Sequence, residues 1–156
     1  MAYQKLQAGR AWAVNKSDNT DIPNIGIAGP TGATTTGSAT QLIDSSATFL
    51  TSGVKLNMIV VNTTDNTQAV VIGIEDDNTL TVSANIFAVS GKNYAIYGGD
   101  QEGAVLYIGT AGNLKVTTVA GDDVTFQGVN TGTFFPVNVV KVFATGTSAD
   151  NIIALW

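Results

Sequence analysis

Short apolar runs alternate with polar, turn-rich runs along most of the chain. In residues 114–117 (LKVT) and 124–127 (VTFQ) every second position is apolar, which is typical of strands with one buried face. Pro136 cannot donate to a ladder, so we expect it at a strand start or a sheet edge. The predicted strands cover residues 10–15, 56–62, 69–74, 79–82, 93–97, 105–108, 114–119, 124–127, 134–143 and 152–156. No helical period runs through residues 106–156, and the pattern predicts an all-β protein.

The turn-rich stretches divide the sequence into four segments. The pattern predicts that residues 1–24 are an N-terminal arm with one short strand and that residues 25–40 are a loop rich in glycine and threonine. Residues 41–98 form a β module whose first stretch, QLIDSSATFLTSG, has a weak helical character, and residues 99–156 form a C-terminal β domain. We expect two small antiparallel barrels or sandwiches.

The chain stays apolar through its last residues, where most chains are polar and loosely held. This end therefore predicts a closing strand or a subunit contact. The candidate interface residues are large apolar side chains of the arm and of the second half of the C-terminal domain: Trp12, Phe134, Phe135, Ile152, Ile153, Leu155 and Trp156.

Charge is scarce. Charged residues make up 12% of the chain, against about 25% in a typical globular domain, and the net charge is −5. The few lysines and arginines are scattered singly, which argues against nucleic-acid binding. No apolar run approaches the ~20 residues of a membrane span, and the N-terminus lacks a signal-peptide pattern, so we expect synthesis in a cytoplasm without a membrane anchor.

The chain contains no cysteine and no histidine, which removes thiolate nucleophiles, the common general base and most zinc sites. Glu75, Asp76 and Asp77 form the densest acidic cluster, but its spacing lacks the alternation and the glycine bend of a calcium loop. We expect Asp122 and Asp123 to form another turn. Asp100 and Glu102 could in principle act as the paired carboxylates of a glycosidase, but no aromatic residues flank them on which a sugar could stack. We predict no catalytic residues, no cofactor, no metal and no enzymatic activity.

Two segments together resemble a class of small virion proteins of tailed bacteriophages. They are AWAVNKSDNTDIPN at residues 11–24 and GAVLYIGTAGNLKVTTVAGDDVTFQGVNTGTFFPVNVVKVFATGTSADNIIALW at residues 103–156. The matching positions are turn and core residues: Ser17, Asp18, Gly109, Gly112, Val116, Gly121, Val124, Phe126, Gly132, Pro136, Val137, Val142, Gly146, Thr147, Ala149, Ile152 and Leu155. In the shorter relatives the two segments are nearly contiguous. The resemblance implies that the central module is inserted into one split β domain.

The resemblance and the low charge lead to a functional expectation. We expect a capsid decoration (cement) protein that binds the outer surface of the major capsid protein lattice in the virion. A homotrimer assembled in the host cytoplasm is expected, since a closed oligomer removes exposed strand edges. The alternatives are a structural component of the tail, neck or spike base, and a carbohydrate-binding β module that uses Phe87, Tyr94 and Tyr97.

Overall fold

A computed structural model describes residues 8–24, 28–98 and 103–156. These residues form twelve strands and no helix. The strands are β1 (Ala11–Ala13), β2 (Ala28–Ala33), β3 (Gln41–Ile43), β4 (Ile59–Asn62), β5 (Thr67–Ile74), β6 (Thr79–Val82), β7 (Asn93–Tyr97), β8 (Ala104–Thr110), β9 (Gly112–Thr118), β10 (Asp123–Val129), β11 (Thr133–Val142) and β12 (Asp150–Leu155). The all-β fold class predicted from the sequence is confirmed.

The chain divides into two compact units. Unit 1 combines Met1–Ile22 with Gln101–Trp156, and unit 2 spans Pro23–Asp100. Each unit has one antiparallel sheet of six strands, which is not closed into a barrel. Along the sequence, unit 2 is therefore inserted between the two segments of unit 1.

In unit 1 the sheet order is β1-β12-β8-β11-β9-β10. Buried side chains from one face of this sheet form a continuous core, because residues at alternate positions of each strand point to the same side. Leu106 and Ile108 of β8, Leu114 and Val116 of β9, and Val139 of β11 are completely buried in it. The core is closed by Ile22 from the N-terminal arm.

The arm lies on its own chain's C-terminal segment. β1 pairs antiparallel with β12, and the backbone nitrogen of Ile22 donates to the carbonyl of Val140 at 2.7 Å. Asp18 accepts two hydrogen bonds from Thr145, at 2.6 Å from the hydroxyl and 2.9 Å from the backbone nitrogen, and these lower the pKa of Asp18. The arm is thus a part of the unit 1 fold.

Pro136 departs from expectation. It lies inside β11, which is a central strand and not an edge. The pairing of β11 with β8 shifts register between Phe135 and Val139, so Pro136 sits where the ladder is interrupted and no donor is needed. The prediction of a strand start or an edge was wrong, because a bulge inside a sheet tolerates proline equally well.

In unit 2 the sheet order is β2-β7-β4-β5-β6-β3. The segment from 25 to 40, predicted as a loop, contains strand β2, which pairs with β7, and Thr36 bridges to Ile43 of β3. The weakly helical stretch from residue 41 begins with β3 and continues as turns. Backbone pairing overrides composition here, since glycine and threonine leave few side-chain signals of a strand.

A buried polar pair lies in the core of unit 2. The hydroxyl of Tyr94 donates to Asp44 at 2.8 Å, and Ser46 donates to the same carboxylate from its hydroxyl at 2.6 Å and its backbone nitrogen at 2.9 Å. Burial pushes the pKa of Asp44 upward, but the hydrogen bonds from Ser46 and Tyr94 outweigh it and the pKa is lowered. Burial, with the neighbouring Asp44, raises the pKa of Tyr94.

The lowered pKa values predict acid sensitivity. Asp18, Asp44 and Asp65, which binds Lys92 at 2.9 Å, all have a pKa below the ordinary value of 3.8. A carboxylate with a depressed folded-state pKa stabilises the fold above its unfolded-state pKa, and this contribution disappears as the pH falls through the folded-state pKa. We expect the urea midpoint to be flat between about pH 7 and pH 5 and to fall below about pH 4. Asp44→Asn should flatten that fall, and a midpoint that is constant down to about pH 2.5 would contradict the assignment.

Candidate protein–protein interface

Strand alternation divides the seven candidate interface residues between the two faces of the unit 1 sheet. Directly paired residues on neighbouring antiparallel strands share a face. Trp12, Phe135, Ile152 and Trp156 belong to the core face. Phe134, Ile153 and Leu155 belong to the opposite, outer face.

The four core-face residues contribute to folding. Ile152 and Phe135 are members of the core, and the ring of Phe135 packs edge-on against Phe126 with centroids 4.6 Å apart. Trp156 packs against the same core, and Trp12 pairs with Ala154, which is completely buried. The apolar C-terminus is therefore first of all a core-forming strand.

The outer face carries a row of apolar side chains in direct register across four strands. Ala13 of β1 pairs with Ile153 of β12, Ile153 pairs with Tyr107 of β8, and Tyr107 pairs with Phe134 of β11. The rings of Tyr107 and Phe134 are in contact, with centroids 5.3 Å apart. Phe134 is nevertheless 65% exposed, the largest exposed fraction among the large apolar side chains of the described residues.

A second apolar row lies beside the first. Ala11 of β1 pairs with Leu155 of β12, which pairs with Val105 of β8. We call these two rows together the outer apolar face; its members are Ala11, Ala13, Val105, Tyr107, Phe134, Ile153 and Leu155. None of them carries a charge, so the sheet is apolar on both sides along these two rows.

The other half of the same outer surface is polar. Lys115 and Thr117 of β9 alternate with buried core residues and so point outward, as does Asp123, which accepts a hydrogen bond from the Thr117 hydroxyl at 2.6 Å. Lys141 of β11 pairs with Asp21 of the arm at 3.5 Å. Within the described part of unit 1, the charges on this side of the sheet therefore lie on β9, β10 and the end of β11, away from the outer apolar face.

The acidic candidates serve as turn residues. Glu75 accepts from the Thr81 hydroxyl at 2.9 Å, Asp76 accepts from the Asn78 backbone at 2.8 Å, and Asp77 accepts from the Thr51 backbone at 3.1 Å. No group of three acidic side chains that could hold a metal ion occurs within residues 8–24, 28–98 and 103–156. Asp100 and Glu102 lie outside the described residues.

The aromatic residues considered for carbohydrate binding are mostly inside unit 2. Phe87 and Tyr94 belong to its core and pack against each other edge to face, with ring centroids 6.5 Å apart. Tyr97 is partly buried, and this burial raises its pKa. Stacking on a sugar needs an accessible ring face, which Phe87 and Tyr94 do not offer.

No protein-family model, curated protein or solved structure matches this chain. Within the described part of the chain, no helix is long and apolar enough to cross a membrane. The bacteriophage resemblance stays a prediction from the sequence.

Sequence reasoning missed four members of the outer apolar face, namely Ala11, Ala13, Val105 and Tyr107. A signal for two of them was present in residues 104–108 (AVLYI), which have no polar position. A strand that is apolar at both alternating sets of positions is typical of a strand covered on both faces. Residues 152–156 are likewise apolar at both alternating sets of positions, and Ile153 and Leu155 belong to the set that points away from the core.

Proposed function

We propose that this chain is a non-enzymatic structural protein of a tailed-bacteriophage particle. Its place is the outer surface of the capsid, where it binds the lattice of the major capsid protein and stabilises it. The observation that carries this proposal is the outer apolar face. A sheet that is apolar on both sides is expected where a second protein covers the side turned away from the core.

The composition of this face fits a subunit contact. Interface cores are depleted of charge and enriched in aromatic residues, and here Tyr107 and Phe134 stand side by side with no charged neighbour on the face. The rest of the chain supports the same role, because charged residues make up only 12% of it.

A non-enzymatic role is consistent with the chemistry of the side chains. The sequence has no histidine and no cysteine. The carboxylates of Asp18, Asp44 and Asp65 accept hydrogen bonds from Thr145, Tyr94 and Lys92, respectively, and so have structural partners.

The proposal is tested by sedimenting the purified chain with capsid shells that were produced without it. Wild-type protein should pellet with the shells saturably, in a fixed ratio to the capsid subunit, and should raise the temperature at which the shells rupture. Phe134→Glu should weaken retention about tenfold or more, since burying a phenylalanine contributes roughly 1.5–3 kcal/mol.

Val89→Glu is the matched control. Val89 is 61% exposed, close to the 65% of Phe134, but lies in unit 2. It should bind like wild type. Wild-type protein that stays in the supernatant at saturating shell concentration would refute the proposal. A few copies confined to one vertex of the particle would instead indicate a neck or tail protein.

A further inference from the structure

The outer apolar face has a gradient of side-chain size from one edge to the other. At the β1 edge it presents only the methyl groups of Ala11 and Ala13, and both residues are exposed. At β11 it presents the protruding ring of Phe134. The branched side chain of Ile153 and the ring of Tyr107 lie between them in the row that runs from Ala13 to Phe134.

Two copies of this face are complementary in shape when their gradients of side-chain size run in opposite directions. Neighbouring strands are about 4.8 Å apart, so Ala13 and Phe134, three strands apart, are separated by about 14 Å. A two-fold axis parallel to the strands, between β12 and β8, exchanges the two edges. It places β11 of one copy, with its large side chain, against β1 of the other copy, with its small ones. Phe134 then lies over the second copy's Ala13, and Tyr107 lies over its Ile153.

We propose that the outer apolar face binds the same face of a second copy of this chain, sheet on sheet, about this two-fold axis. Aligned packing of two sheets about 10 Å apart leaves space for one layer of interdigitating side chains from each. The contact is isologous, so that each copy contributes both a Phe134 and an Ala13. This inference rests on the proposed function: the protein that covers this face is a second copy bound to the same shell, and Phe134→Glu weakens retention on the shell because it disrupts the pair.

The charge distribution favours a second copy. The chain carries a net charge of −5, so two copies repel each other unless they meet where acidic groups are absent. Among the described acidic residues of unit 1, Asp18 binds Thr145, Asp21 pairs with Lys141, and Asp150 pairs with Lys16 at 3.5 Å. Asp123 follows a turn and begins β10, at the opposite edge of the sheet from β1. The outer apolar face is the neutral surface on which an acidic chain can meet itself.

The area of the face sets the strength of the contact. Four strands at about 4.8 Å and side chains spread over about 15 Å along the strands cover roughly 300 Å² per copy. A stable interface buries about 800 Å² per copy, so the pair should be weak, with a dissociation constant above about 10 µM. Many copies held on one lattice would raise its occupancy through their effective concentration. This two-fold pair differs from the homotrimer expected from the sequence.

A charge-swap experiment tests the geometry by sedimentation velocity at protein concentrations from about 10 µM to about 1 mM. Wild type and the Val89→Glu control should form dimers with increasing concentration. Ala13→Lys and Phe134→Glu should each weaken dimerisation about tenfold or more, because each brings a charge into an apolar contact. The double variant should recover dimerisation, since residue 13 of each copy then faces residue 134 of the other with opposite charge.

The design excludes two trivial explanations. Within one copy the two substituted positions are about 14 Å apart, beyond the ~10 Å screening length at 0.1 M salt, so recovery requires a second copy. Unchanged tryptophan-fluorescence unfolding midpoints would show that the variants are folded. A double variant as weak as the single ones, a trimer, or a wild type that is monomeric at about 1 mM would overturn the inference. Shell binding without self-association would refute this inference alone, and self-association without shell binding would refute only the capsid role.

Discussion

Replacing Ile22 with alanine is expected to destabilise unit 1 by about 2–5 kcal/mol, the range for truncating a large buried aliphatic side chain. Ile22 is 3% exposed and packs in the unit 1 core, although it lies more than eighty residues before the other members of that core. Its truncation leaves a cavity between the arm and the C-terminal segment. The effect should be large only if the arm is an integral part of the domain.

Tryptophan fluorescence reports this effect selectively. The two tryptophans of the chain, Trp12 and Trp156, both belong to unit 1. The urea midpoint of their emission should fall in Ile22→Ala, whereas Val119→Ala, at a residue that is 48% exposed, should change stability by less than about 0.5 kcal/mol. Equal midpoints for Ile22→Ala and wild type would mean that the arm does not support the core.

Replacing Gly32 with alanine is expected to destabilise unit 2 by about 1–3 kcal/mol, the range for overpacking a core. A Cβ at this position would lie 2.6 Å from both the Asp44 carboxylate and the Tyr94 hydroxyl. Both groups are buried and hydrogen-bonded to each other, so neither can move away freely. Gly32 is needed here for close approach and not for an unusual backbone conformation.

Amide hydrogen exchange can locate this effect, since unit 2 contains no tryptophan. Peptides covering β2 and β7 should exchange faster in Gly32→Ala, with an unchanged tryptophan midpoint. Tyr94→Phe removes one of the two atoms that would lie 2.6 Å from the added methyl group, so the double variant should lose less stability than the sum of the single ones. Strict additivity would show that the methyl group added at position 32 does not meet the Tyr94 hydroxyl.

The alternation of apolar and polar residues predicted most of the strands, because this pattern is visible in the sequence itself. The strand at Thr79–Val82 and the strand at Asn93–Tyr97 have the predicted bounds, and the strands of the C-terminal segment were located to within a few residues. Strand β2 was missed because AGPTGA has almost no apolar side chains, and its pairing with β7 is made by backbone groups. Composition cannot show a pairing partner that is sixty or more residues away.

The interface was predictable only in part for a related reason. The sequence identified large apolar residues such as Phe134 and Phe135, and neighbouring residues in a strand must point to opposite faces. Which of the two points to the core depends on pairing: Phe135 pairs with the buried Leu106, and Phe134 pairs with Tyr107. Ala11 and Ala13 could not be singled out, because two small residues gain a role only by lying beside Leu155 and Ile153.

A cryo-EM map of the source particle would show both where this chain sits and what covers its outer apolar face. We expect many copies on the outside of the capsid shell, with Tyr107 and Phe134 buried against another protein subunit. A particle that lacks the chain, or one in which Phe134 faces solvent in every copy, would contradict this expectation.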